Sequence, residues 1–137
     1  MSLAKNAAVA AHLLESHEEL SAVVAHVHIS SGSLVATDVQ LQLRTRLDAD
    51  ALVTLAGCSH VMGAGQIELQ PASGYVKARV SHEVTTPAGV AEVEVWTHLD
   101  VWTAQRMTSQ FEVTLSKDAG PVFIDTAHVL RVLGAVA

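Results

Sequence analysis

Val90-Ala91-Glu92-Val93-Glu94-Val95-Trp96-Thr97-His98-Leu99 alternates apolar and polar side chains, and that alternation decides the fold. Successive side chains of a strand point to opposite faces, so Ala91, Val93, Val95 and Leu99 share one side. Glu92, Glu94, Trp96 and His98 share the other, and the same count carried to Thr103 adds Trp102 to the polar side. A sheet with one face on a core and one facing water reads this way. Tryptophans on the wet face point to contact with another surface.

The neighbouring segments repeat the pattern. From Tyr75 to Val84 the inward set is Val76, Ala78, Val80, His82 and Val84, with Tyr75, Lys77 and Arg79 outward. Pro71-Ala72-Ser73-Gly74 and Thr86-Pro87-Ala88-Gly89 supply the turns on either side, and Gln66–Gln70 reads as the strand before them. Nearer the N-terminus, Val23, Ala25, Val27 and Ile29 alternate against Val24, His26, His28 and Ser30. After a Ser31-Gly32-Ser33 turn, Val35, Val39, Leu41 and Leu43 turn inward from a strand spanning Leu34 to Arg44.

Helical spacing appears in three places. Leu3, Ala7, Ala10 and Leu14 mark a helix over about Ala4–Ser16, and Ser16-His17-Glu18-Glu19-Leu20 reads as a turn out of it. Asp48 is a natural N-cap for a helix over Ala49–His60, with Leu47 and Leu52 spaced as a hydrophobic staple and Leu52, Leu55 and Ala56 buried. Asp125 stands in the same position before a final helix to about Val136, with Ile124 and Val129 as its staple, and Phe111–Leu115 reads as one more strand. The expected order is α-β-β-α-β-β-β-β-α. Residues 1–137 form a single α+β domain, an antiparallel sheet of five or six strands with helices on its apolar face. Both halves run helix, strand, Ser-Gly turn, strand, an echo too slight to read as duplication.

Composition narrows the function. Half of the 137 residues are hydrophobic and 16% charged, enough to build a core, which Ala, Val and Leu must fill because aromatics are only 4%. The net charge is −6, and eight Lys and Arg spread along the chain make no basic stripe, so nucleic-acid binding is disfavoured. No apolar run reaches the roughly 20 residues that cross a bilayer, and no basic segment followed by a continuous apolar stretch marks a secretory leader. With one cysteine, Cys58, no internal disulfide can form, and the expected location is cytoplasmic.

Chemistry-bearing residues are present without a constellation that fixes a reaction. His26 and His28 share a strand face, and Cys58 with His60 could complete a zinc set, but i, i+2 residues on a helix diverge. Exposed histidines on a polar face are the simpler reading, so no metal or other cofactor is expected. Glu92 with Glu94, and His98 with Asp100, are same-face pairs; on an open sheet they are solvated, and cross-strand pairing with Lys77 and Arg79 accounts for the glutamates. The chain carries no nucleophile elbow, phosphate loop or dinucleotide fingerprint, and no catalytic residue is assigned.

The strongest lead is the outward set Tyr75, Lys77, Arg79, Trp96, His98 and Trp102. Trp, Tyr and Arg dominate binding hot spots because they bury much area around a polar handle. Aromatic sheet faces also stack nucleic-acid bases, but Glu68, Glu83, Glu92 and Glu94 on this face repel phosphates. The expected partner is a protein, or a second copy in a homo-oligomer. The competing expectation is that the C-terminal segment folds over these rings.

The order of elements resembles small α+β proteins of high-GC actinobacteria and their phages. Leu13-Leu14 with His17-Glu18-Glu19-Leu20, and Gly89 through Leu99, carry the resemblance, which has no counterpart from Val101 onward. It implies a source and an architecture and brings no activity with it. The functional expectation is a non-enzymatic interaction or accessory protein. The alternative is a pocket enzyme or ligand-binding protein of hot-dog or cystatin-like cone shape, using His82 or Asp125.

Overall fold

The computed structural model describes residues 3–30, 37–44, 49–111 and 120–133. Along the chain run α1 (Leu3–Ser16), α2 (Glu18–Ser21), β1 (Val24–Ile29), β2 (Val39–Leu43), α3 (Ala49–Met62) and β3 (Gln66–Pro71). They are followed by β4 (Tyr75–Thr86), β5 (Gly89–Asp100), α4 (Val101–Gln110), β6 (Val122–Asp125) and α5 (Thr126–Val132). One six-stranded sheet has the order β1-β2-β5-β4-β3-β6. Among the described residues no helix is long and apolar enough to cross a membrane.

The alternation anticipated for β4 and β5 is realised residue by residue. Val76, Ala78 and Val80 on β4 and Ala91, Val93, Val95 and Leu99 on β5 are buried, and their register pairs Val80 with Val95 and Val76 with Leu99. Val9, Ala10 and Leu13 of α1, Leu52, Leu55 and Ala56 of α3, and Val129 of α5 close the same core. Lys5 donates from Nζ to the Val90 carbonyl at 2.6 Å, and the Asn6 amide donates to the Ser30 carbonyl at 2.6 Å, tying α1 to the sheet. The chain turns into β5 at Gly89 with φ +138°, a conformation that favours glycine, and the Lys5 side chain lies across it, its Cδ 2.9 Å from where a Cβ would stand.

Several expectations need correction. The sheet is mixed: β2 lies parallel to β5, with Val39 opposite Val93 and Leu41 opposite Val95. In β1 a bulge between Val24 and His26 breaks the alternation: Val24, expected outward, lies opposite Leu43 and packs against the core together with Val23, while Val27 and Ile29 keep their inward register. The segment after α1 is a helical turn, α2, because Leu20 reaches the core from it with no exposure. The β5 alternation stops at Asp100, whose carboxylate accepts from the Thr103 amide at 2.7 Å and the Thr103 hydroxyl at 2.8 Å. That cap starts α4 and takes Trp102 off the sheet.

The last strand is Val122–Asp125, antiparallel to β3. Phe111 is a buried turn residue, and the rest of the strand expected at Phe111–Leu115 lies outside the described residues, as do the Ser31-Gly32-Ser33 turn, Val35, Leu47, Asp48 and Val136. Ile124 and Val129 are both buried at their staple positions, although Asp125 makes no side-chain cap bond to α5. The junction is held instead by buried hydroxyls: Ser59 Oγ lies 2.8 Å from Thr126 Oγ1 and donates to the Ala64 carbonyl at 2.9 Å. Ser59→Ala leaves the Thr126 hydroxyl and the Ala64 carbonyl short of a partner. Urea denaturation is expected to show a loss of about 1–2 kcal/mol.

Candidate functional site

The register of the sheet assembles the polar face. One row crosses all six strands: His26, Gln42, Trp96, Arg79, Glu68 and Phe123. The row beside it sets His28, Gln40, Glu94 and Ser81 across four strands. The helices that close the core lie on the opposite side of the sheet, because their contacts are to the inward residues.

Glu94 is the hub of this face. It is only 3% exposed, although the sequence pattern placed it in water. Gln40 on β2 donates to Glu94 Oε1 at 3.1 Å, Lys77 on β4 lies 3.5 Å from the same oxygen, and Arg79 donates from Nε to Oε2. Arg79 also reaches Glu68 Oε1 on β3 at 3.2 Å, and Gln70 donates to the other Glu68 oxygen. A buried carboxylate is tolerated only when paired and hydrogen-bonded, and here the two flanking strands, β2 and β4, supply the three partners. The expected cross-strand pairing with Lys77 and Arg79 is present, but the solvation expected for Glu94 is not. Glu92 is held separately by the Ser81 hydroxyl at 2.7 Å.

Beside the hub sits an aromatic and cationic cluster. The Lys77 ammonium stands 5.1 Å from the Trp96 ring centroid. His98 lies between Trp96, at 4.9 Å between centroids, and Tyr75, at 4.3 Å. Burial among these rings lowers the His98 pKa from its ordinary value, and the Lys77 charge lowers it further. Tyr75 is exposed, and Trp96, Lys77 and His98 are half-buried.

Five of the six residues singled out from the sequence therefore share one surface: Tyr75, Lys77, Arg79, Trp96 and His98. Trp102 does not. It projects from α4 with 67% exposure and stacks against Arg106 at 4.7 Å. His98 and Asp100 form no acid–base pair through the cap geometry, since Thr103 takes both Asp100 oxygens and holds that carboxyl below its usual range. Residues missed from the sequence include Gln40 and Gln70, whose roles need the strand order, and Phe123, whose strand was not anticipated; Phe123 is 53% exposed at the end of the row.

The other candidates are scattered. Cys58 is buried in α3, and burial pushes its thiol up to about 11, while His60 is exposed two residues on. His26 and His28 are exposed on β1. Among the described residues no three His, Cys, Asp or Glu side chains converge as metal ligands. His82 faces inward opposite Val93, as expected, and is half-buried near Gly63. It lines an open cleft of about 310 Å³ with Gln66, Ser81 and Phe123, while Asp125 is exposed at the start of α5. No protein-family model matches the chain, and comparison with curated proteins and with solved structures finds no match.

Arg79→Ala strips Glu94 of its strongest partner while leaving the carboxylate buried. A loss of about 3 kcal/mol is expected in chemical denaturation, and Glu94→Gln should cost less because it removes the buried charge itself. His98 gives a pH signature. With its folded pKa lowered, the unfolded chain takes up the proton first, so stability falls as pH drops below about 6.5 and through the folded value. His98→Gln is expected to flatten that part of the stability profile, measured as midpoint against pH.

Proposed function

We propose that this protein is a non-enzymatic interaction module that binds a protein partner or a second copy of itself through Tyr75, Lys77, Trp96 and His98. The observation that carries the reading is the joining of two properties on one sheet face. The rings are accessible, and the strands beneath them are cross-linked by the buried Glu94 network. A rigid aromatic surface loses little conformational entropy on binding, which is what makes Trp and Tyr effective contact residues. Arg79 belongs to the support of this surface, because both of its acidic partners are on neighbouring strands. The acidic net charge and the glutamates on the same face favour a protein over a nucleic acid. The setting we propose is the one the resemblance implies, an accessory protein of an actinobacterium or its phage, acting in the cytoplasm.

A second reading draws on the cleft that His82 lines, which has room for a small ligand. In that reading the protein is a cytoplasmic pocket enzyme or ligand carrier with His82 as its polar group. The two readings separate by mutation. On native mass spectrometry of protein purified from its own host, Trp96→Ala and Tyr75→Ala are expected to strip a bound protein or reduce the oligomer, with the melting temperature little changed. If those variants keep the same bound mass and His82→Ala loses it, the interaction reading is wrong and the cleft is the site.

A further inference from the structure

We propose that β1 is a self-pairing edge. Two copies join antiparallel along it, and the histidines this gathers on one face hold a divalent transition-metal ion. Among the described residues the sheet order makes β1 terminal, and its sequence Val-Ala-His-Val-His-Ile carries no acidic, lysine or arginine side chain. Edge strands are normally guarded by such charges, by proline or by bulges. Here the bulge sits at the Val24/His26 step and leaves His26–Ile29 in regular register.

The backbone phase is set by the Ser30 amide, which donates to the Asp38 carbonyl at 2.9 Å. Because amide direction alternates along a strand, His28 and His26 turn their peptide groups toward β2, and Val27 turns its own toward the edge that no described strand covers. A two-fold axis beside Val27 then exchanges both backbone hydrogen bonds between Val27 and its copy. Each His26 falls opposite the partner's His28 in the closely spaced type of pair, with Cα atoms about 4.5 Å apart. This geometry is isologous, the same strand on both sides, which is why a second copy is the occupant.

Both faces benefit from the pairing. On the core side Val27, 44% exposed in one chain, covers its own symmetry mate. On the polar side His26 and His28 of each copy are exposed and flanked by the neutral Gln42 and Gln40. One chain offers two histidines on the same face, their Cα atoms about 6.7 Å apart along the strand, which is half of a tetrahedral set. The pair of copies completes it, with ligands that suit zinc, nickel or copper rather than magnesium or calcium. The bound cation also offsets part of the repulsion between two chains of net charge −6.

The test is light scattering and native mass spectrometry of the full chain with zinc chloride added, then with EDTA. Zinc is expected to produce a dimer holding one ion per two chains, reversed by the chelator. The double variant His26→Ala/His28→Ala should lose the shift, and Val27→Lys should lose it while keeping both histidines. Circular dichroism melting checks that each variant folds, which exposed edge positions allow. Repeating the titration in Trp96→Ala separates pairing along β1 from association through the aromatic face. An unchanged mass with zinc, zinc bound one to one without dimerisation, or a zinc dimer that survives the double histidine variant overturns the proposal.

Discussion

The parallel pairing of β2 with β5 is the constraint on which the rest of the structure depends. Parallel neighbours cannot be joined by a tight turn, and here the connection contains α3, β3 and β4 before β5 returns to β2. That path lays α3 over the apolar face and leaves the N-terminal hairpin beside the most buried strand. The junction is pinned at one end by Asp38, whose amide donates to the Glu92 carbonyl at 2.9 Å while its carboxylate accepts from the Glu92 amide at 2.9 Å. In its middle Gln40 meets Glu94. Moving the hairpin elsewhere would remove a Glu94 partner and take β1 off the end of the sheet.

Glu94 shows how a polar face can be made stiff. A buried carboxylate gains little net stability from its partners, because removing charges from water costs several kcal/mol per ion before attraction offsets it. Its contribution here is positional: Gln40, Lys77 and Arg79 must all be in register to satisfy one group, so a slipped strand leaves a buried charge unpaired. Lys77 links this support to the surface, since the ammonium that pairs with Glu94 also stands over the Trp96 ring. The aromatic cluster is thus presented by a braced lattice.

Much of this face was legible in the chain. The period-two pattern named Tyr75, Lys77, Arg79, Trp96 and His98 as neighbours, and the structure brings all five onto one surface. It erred at Trp102 because nothing in the alternation announces that Asp100 turns from strand residue to helix cap; the signal available was Asp100 three residues before Thr103, a cap pattern. It erred at Glu94 because a strand pattern reports which side a residue faces, without reporting whether that side is wet.

What the sequence determined by itself was local: the first and third helices, the strands from β1 to β5, most of the inward set, and the α+β class, because each follows from side-chain spacing within a few residues. Only the tertiary structure decided strand order, and with it the parallel junction, the burial of Glu94, the row ending at Phe123 and the edge position of His26 and His28. Those depend on which segments meet across long stretches of chain. A carboxylate is buried or solvated, and a histidine pair shielded or free to meet its copy, according to neighbours that local spacing does not encode.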